Sequence, residues 1–242
     1  MRILVFQHLA VEHPGVFREI WQAKGCSWTP VELDQGEPIP DMAGFDLLVV
    51  MGAPIDVWQE EEYPWLAAEK VAIRLWVNDL GRPFLGICSG HQLLAETLGG
   101  EVGPMARPEV GLAEVTLTPA GLGDPLLEGF SATFQTMQWH GAEVSRLPPG
   151  GEVLAFNATC AIQAMRWGRH AYGFQYHIET TRESVEDFRI IPEYAAYLER
   201  VLGARGSDNL RTNVLRKLPE FRASAHRLFE SLSTIVSGHS IV

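Results

Sequence analysis

The stretch of sequence best suited to chemistry is Gly86-Ile87-Cys88-Ser89-Gly90. A thiol between two glycines follows an apolar run, Pro83-Phe84-Leu85-Gly86-Ile87. It precedes a helix-type segment, residues 91–98, that Gly99-Gly100 stops. That order is the pattern of a nucleophile elbow. A tight strand-to-helix turn strains the backbone at the nucleophile and points its side chain out over the sheet edge. The residues two before and two after must be small, because the chain packs against itself there. The start of the helix favours thiolate over thiol. It also leaves backbone N–H groups for a developing oxyanion, that of Ser89 being the natural candidate. The other thiols, Cys26 and Cys160, read as small buried hydrophobes.

A thiolate nucleophile needs a proton carrier. Of the eight histidines, His177 sits in Tyr172-Gly173-Phe174-Gln175-Tyr176-His177-Ile178-Glu179, a strand-like run. Residues two apart on a strand face the same side. His177 and Glu179 therefore lie on one face, or close together at the strand's frayed end. Either arrangement lets the carboxylate fix the imidazole tautomer and stabilise its charged form. Taken alone, His-x-Glu also fits two polar surface residues. A metal reading finds no third ligand at a suggestive spacing, so no metal is expected.

These groups need a scaffold, and the first half of the chain alternates strand and helix signals. Residues 2–6, 45–51 and 83–87 are short apolar runs that fit buried strands. Residues 14–24 and 63–80 carry helical patterns between them. Gly52 and Cys88 both fall at the carboxyl ends of such strands, where α/β sheets hold their ligands. In the middle, residues 110–118, 133–139, 152–156, 161–167 and 170–176 are β-type runs broken by Gly and Pro. Beyond residue 182 the pattern turns helical, over 183–202 and 208–236, with Pro192 and Pro219 expected to delay or kink the helices. Strand–helix–strand alternation implies an α/β fold, a mostly parallel sheet with helices on both faces. Residues 1–182 read as the catalytic domain. Residues 183–242 read as a C-terminal helical extension packed on it.

Bulk composition agrees with one globular domain. The chain has 242 residues, 46% hydrophobic and 20% charged. Its net charge of -11 argues against a general nucleic-acid or anionic-membrane surface, since both need clustered Lys and Arg. The N-terminal residues read as a first strand, not a signal peptide, and no run of about 18 apolar residues suggests a membrane span. Three cysteines form neither a disulfide framework nor a zinc pattern, so a reducing cytoplasm is the simplest location.

Gly86-Ile87-Cys88-Ser89-Gly90-His91-Gln92 resembles the G-x-C-x-G-x-Q signature of class I (triad-type) glutamine amidotransferases. Gly173 to Glu179 resembles their G-x-Q-x-H-P-E signature, with Ile178 in place of the usual proline. The resemblance covers roughly residues 1–180, in the expected order and spacing, consistent with a single domain of typical size. It implies a flavodoxin-like sheet, no cofactor, and a γ-glutamyl thioester on Cys88, with His177 as base and Glu179 orienting it. Met51-Gly52-Ala53-Pro54 matches the family's G-G-P loop, which implies an oxyanion hole from the N–H groups of Gly52 and Ser89. Gln92 matches a residue that holds the glutamyl end of the substrate. Trp139-His140-Gly141 aligns with a segment, often S-H-G or N-H-G, that grips the same end, and Trp139 departs from that pattern. Without the resemblance, His140 reads as a structural histidine.

The sequence is most similar to stand-alone, GMP synthase-like amidotransferases. The 60 or so residues after Glu179 are too few for an ATP-binding domain, and no Walker-type loop is present. Three readings follow. One is a free-standing hydrolase of γ-glutamyl amides, glutamine included, with a small-molecule γ-glutamyl substrate. Another is a glutaminase subunit feeding ammonia to a separate synthase. The last is a non-catalytic binding protein on this fold, which the intact Cys88, His177 and Glu179 argue against.

Overall fold

A computed structural model describes residues 1–203 and 205–239, with backbone alone for residues 188–190 and 192–193. Among the described residues, nine strands form one sheet: β1 (Arg2–Gln7), β2 (Ser27–Glu32), β3 (Leu47–Val50), β4 (Phe84–Ile87), β5 (Glu101–Leu117), β6 (Thr133–Arg146), β7 (Gly151–Phe156), β8 (Ala164–Trp167) and β9 (Ala171–Phe174). Their order across the sheet is β2-β1-β3-β4-β9-β8-β7-β5-β6. The first five are mutually parallel, and the remaining pairings are antiparallel. Only β5 and β8 therefore run against the common direction, and the sheet is mostly parallel as expected. The helices are α1 (Phe17–Ala23), α2 (Trp65–Arg74), α3 (Ser89–Thr97), α4 (Pro119–Leu122), α5 (Arg182–Ile190), α6 (Pro192–Leu202) and α7 (Gly206–Gly238).

The period of two along the buried strands divides the core between the sheet's faces. Ile3, Val5, Leu47 and Val49 pack with Phe17, Ile20 and Trp21 of α1 and with Ala225, Leu228 and Phe229 of α7. Leu4, Phe6, Leu48 and Val50 pack on the other face with Leu66 and Ile73 of α2 and Leu93 and Leu94 of α3. Parallel strands covered on both faces read as continuous apolar runs, which is why 2–6, 45–51 and 83–87 stand out in the sequence.

Three elements differ from the sequence reading. The edge strand β2 carries Pro30 and is largely exposed, so it lacks an apolar signal. Proline is tolerated at a sheet edge because no neighbour needs its missing N–H. β5 begins at Glu101, nine residues before the predicted run, and passes Pro104 and Pro108 through a register shift between Pro104 and Glu109. The predicted helix 183–202 is two helices. Pro192 opens α6 and holds Ile191 extended, at φ -73° and ψ 120°. By contrast, α7 continues for 33 residues with Pro219 inside it. A third apolar cluster joins Val185 of α5, Leu198 of α6 and Val214 and Phe221 of α7 to Met137 of β6. The C-terminal helices thus meet the sheet at the strand that carries Trp139 and His140.

Candidate active site

Cys88 lies between β4 and α3 at φ 52° and ψ -109°, the only non-glycine residue with positive φ among the described residues. Two glycines permit this turn. A Cβ on Gly86 would sit 2.4 Å from the Gly90 carbonyl oxygen, and a Cβ on Gly90 would sit 2.1 Å from the Val50 carbonyl oxygen of β3. Cys88 is 7% exposed, and its sulfur faces the Trp139 carbonyl oxygen at 3.7 Å. The Gln175 side-chain amide donates toward it at 3.8 Å.

β9 is the hydrogen-bonded neighbour of β4, and Ile87 is in register with Phe174. The Cys88 N–H continues that ladder to the Phe174 carbonyl at 2.8 Å. Past the end of β9, the His177 N–H donates to the Met137 carbonyl at 2.9 Å, which anchors the histidine to β6. His177 Nδ1 lies 2.7 Å from Glu179 Oε1. Nε2 is buried without a hydrogen bond of ordinary geometry. Burial pulls the His177 pKa down, but the Glu179 charge and the contacts with Cys88 and Glu179 outweigh it and raise it well above the usual histidine value. The two motif segments also interlock. A Cβ on Gly173 would lie 2.5 Å from His91 Nδ1, so the glycine makes room for that fully buried ring.

The other sequence-derived residues gather around this cluster. Gly52 follows β3, and its missing Cβ would lie 3.6 Å from Cys88 Cβ and 3.5 Å from His177 Cε1. Its carbonyl meets His8 Nδ1 at 2.9 Å. The Ala53 N–H donates to Ser89 Oγ at 3.1 Å, so the Gly52–Ala53 peptide is held at both ends. The backbone N–H of Ser89 falls in the first turn of α3, where no intrahelical acceptor exists. The Gln92 side-chain amide bridges the Ala142 carbonyl at 3.1 Å and Gln175 Oε1 at 3.0 Å. His140 is buried, with Nδ1 on the Ala142 carbonyl at 3.0 Å and Nε2 near Gln138 Oε1 at 3.1 Å and Glu109 Oε2 at 3.3 Å. Cys88, Ser89, Gln92, Trp139, His140 and Gly141 all line one cavity of about 400 Å³.

Four further residues escape the sequence reading. Glu12, 6% exposed, receives the Tyr194 hydroxyl at 2.8 Å. Its Oε2 is 3.1 Å from the position a Gly52 Cβ would take. Burial raises the Glu12 carboxyl above the usual carboxylate range, with His177 and the Tyr194 hydroxyl pulling it part of the way back. Tyr194 and Tyr197, both on α6, line the cavity. Gln175 is visible in the sequence only as a motif position. Neither Glu12 nor the tyrosines carry a local pattern, since their meeting depends on tertiary contact. Two other aromatics near these segments do not line the cavity: Tyr176 is fully buried against Phe174 and Phe134, and Trp58 is exposed. Cys160 is fully buried, and burial pushes its thiol up to about 12; Cys26 is half-buried against the core.

The chain is similar to known proteins over most of its length. Residues 19–190 match the family model described as glutamine amidotransferase class-I. The chain is 35% identical over 191 residues to a protein of Salmonella typhimurium described as glutamine amidotransferase-like, YfeJ, covering 77% of this chain and 79% of that one. It is 33% identical to a glutamine-hydrolyzing GMP synthase subunit of Saccharolobus solfataricus, over 63% of this chain and 78% of that one. The crystal structure of a glutamine amidotransferase from Thermotoga maritima superposes with a TM-score of 0.86, at 26% identity, over 98% of both chains. Among the described residues, no helix is long and apolar enough to cross a membrane. With a family match spanning most of its length and relatives alike in sequence and shape, the chain belongs to the class I glutamine amidotransferases.

Proposed function

We propose that the chain hydrolyses the γ-glutamyl amide bond, of glutamine or of γ-glutamyl amines, through a thioester on Cys88. The observation that carries this reading is the strained Cys88 at the head of α3 with the His177–Glu179 pair, bonded at 2.7 Å, across the Gly52 position from it. Cys88 sulfur attacks the side-chain carbonyl carbon. The thiol proton passes to His177 Nε2 and from there to the departing nitrogen, and the C–N bond breaks. The raised pKa of His177 favours the imidazolium that makes this donation. Water then gives its proton to His177 and attacks the thioester, releasing glutamate and regenerating the thiol. Glu179 keeps Nδ1 protonated, so Nε2 is the atom that exchanges protons. The N–H groups of Ser89 and of the Gly52 loop would stabilise the oxyanion. Gln92 and the backbone of the Trp139–Gly141 segment would hold the glutamyl end.

Likeness to the Saccharolobus GMP synthase subunit favours a second reading, a glutaminase that works with a separate synthase. Purified chain assayed on glutamine and a panel of γ-glutamyl amines separates the two. Fast turnover by the isolated chain supports the free-standing hydrolase. Glutaminase activity seen only beside a second protein replaces it with the synthase-coupled reading. No thioester with a γ-glutamyl substrate under either condition would refute both.

A further inference from the structure

Glu12 and Tyr194 stand on opposite sides of the family span, 19–190, and 182 positions apart in sequence, yet share one buried hydrogen bond beside the Cys88–His177 pair. That bond ties α6 to the loop after β1. α6 also rests on its own small apolar cluster, through Leu198 against Met137. From this seat it presents Tyr194 and Tyr197 to the cavity that Cys88 opens into. Both rings meet Trp139, at 5.6 and 5.9 Å between centroids, so the three form one aromatic wall. The Tyr197 hydroxyl lies 3.5 Å from the position of a Gly141 Cβ, so the rings border the segment whose backbone is proposed to hold the glutamyl end.

A glutamyl group offers aliphatic carbons and charged ends, and the ammonia leaving from glutamine offers no surface at all. An aromatic wall matches neither. It matches a leaving amine with an apolar, flat body, which such rings contact over a large area. We propose that α6 is a cap over the acyl site, latched by the Glu12–Tyr194 hydrogen bond, and that Tyr194 and Tyr197 select γ-glutamyl amides of bulky apolar amines. This rests on the γ-glutamyl hydrolase reading for its selectivity, but the cap stands on geometry alone.

The two parts are tested separately on the full chain. In a Cys26→Ala background, Cys88 is alkylated with iodoacetamide and with bulkier N-phenylmaleimide, and the modified peptide is identified by mass. Tyr194→Phe and Glu12→Ala should raise the bulky-to-small rate ratio about fivefold, the factor that loss of one hydrogen bond carries. Glu12→Gln, whose amide oxygen still accepts from Tyr194, should keep the parent ratio. Thermal melting checks each fold; if Glu12→Ala does not fold, Tyr194→Phe carries the comparison. Identical ratios in all variants would overturn the cap. For selectivity, Tyr197→Ala should lower kcat/KM for γ-glutamyl-anilide at least about tenfold more than for glutamine, the scale of a lost apolar contact in a substrate pocket. An unchanged ratio of the two substrates would overturn the selectivity. If no γ-glutamyl compound turns over in the parent, the hydrolase reading falls and the selectivity with it. The alkylation ratios still decide the cap.

Discussion

Gly90→Ala should destabilise the protein and disable it more than its loss of stability explains. The added Cβ would lie 2.1 Å from the Val50 carbonyl oxygen and 2.8 Å from its carbon, against 3.4–4 Å for ordinary contact. Those are backbone atoms of β3, whose four residues are fully buried between two other strands, so they cannot rotate aside. Alanine brings a helix-propensity gain of about 1 kcal/mol over glycine. Overpacking a rigid site costs about 1–3 kcal/mol and occasionally more, and an overlap with backbone belongs at the upper end. We expect a net loss of about 2–3 kcal/mol. For a chain of this length that lowers Tm by roughly 4–12 °C. The relief route is for α3 to move away from β3, which separates Cys88 from Gly52. A shift of about 1 Å at reacting groups costs on the order of a hundredfold in rate. Two controls isolate the cause. Gly25 has φ +69° but open space around it, so Gly25→Ala should show only conformational strain, about 1 kcal/mol. Gly103 has neither a positive φ nor a neighbour within 4 Å, so Gly103→Ala should stay within about 0.5 kcal/mol of the parent. Calorimetry and steady-state turnover on the three variants decide the matter. A Gly90→Ala protein that melts and turns over like the parent would refute the close-packing account of the elbow.

Cys88→Ala should lose turnover and keep its melting profile, whereas Cys26→Ala and Cys160→Ala should keep activity; an active Cys88→Ala protein removes the proposed mechanism. Glu179→Gln should slow catalysis less than His177→Ala, because the histidine moves the proton and the glutamate orients it. In Glu179→Gln the pKa of His177 falls, so its imidazolium is lost at lower pH and the alkaline limb of kcat should move toward lower pH; a limb that stays in place would mean another group titrates there. Blocking the α-amine of γ-glutamyl-methylamide should abolish cleavage, since a site built around polar partners rejects analogues that leave them unpaired; equal rates for blocked and free substrate would remove Gln92 and the Trp139–Gly141 segment as the anchor.

The parts of this protein that are legible in its sequence share a local cause. β1, β3 and β4 are buried on both faces, so their runs are apolar apart from Arg2 and Gln7 at the ends of β1. The elbow announces itself because Gly86 and Gly90 touch backbone that tolerates no side chain. His177 and Glu179 are two residues apart, and their hydrogen bond needs only the local chain. The parts that stay hidden depend on distant chain or on broken rules. β2 and the start of β5 contain prolines that edge and bulge positions permit. Glu12 looks like any surface acid until Tyr194 and Gly52 bury it. His8 and Glu69, fully buried and 2.8 Å apart, hold the Gly52 carbonyl from elements with no common motif.

The register of β4 with β9 has a consequence for how such a protein diversifies. Nucleophile and base leave the sheet from the same end of adjacent strands, one residue past Ile87 and three past Phe174. Their separation is therefore set first by inter-strand spacing, a backbone constant of about 4.8 Å, and trimmed by the anchors already described, α3 behind Cys88 and Met137 of β6 behind His177. The C-terminal helices around the cavity, α6 included, contribute no backbone to this pairing and are free to lengthen, tilt or change composition without detuning the reacting pair. Exchanging residues 182–239 between relatives should thus transplant substrate preference while leaving the intrinsic reactivity of the thiol where it was.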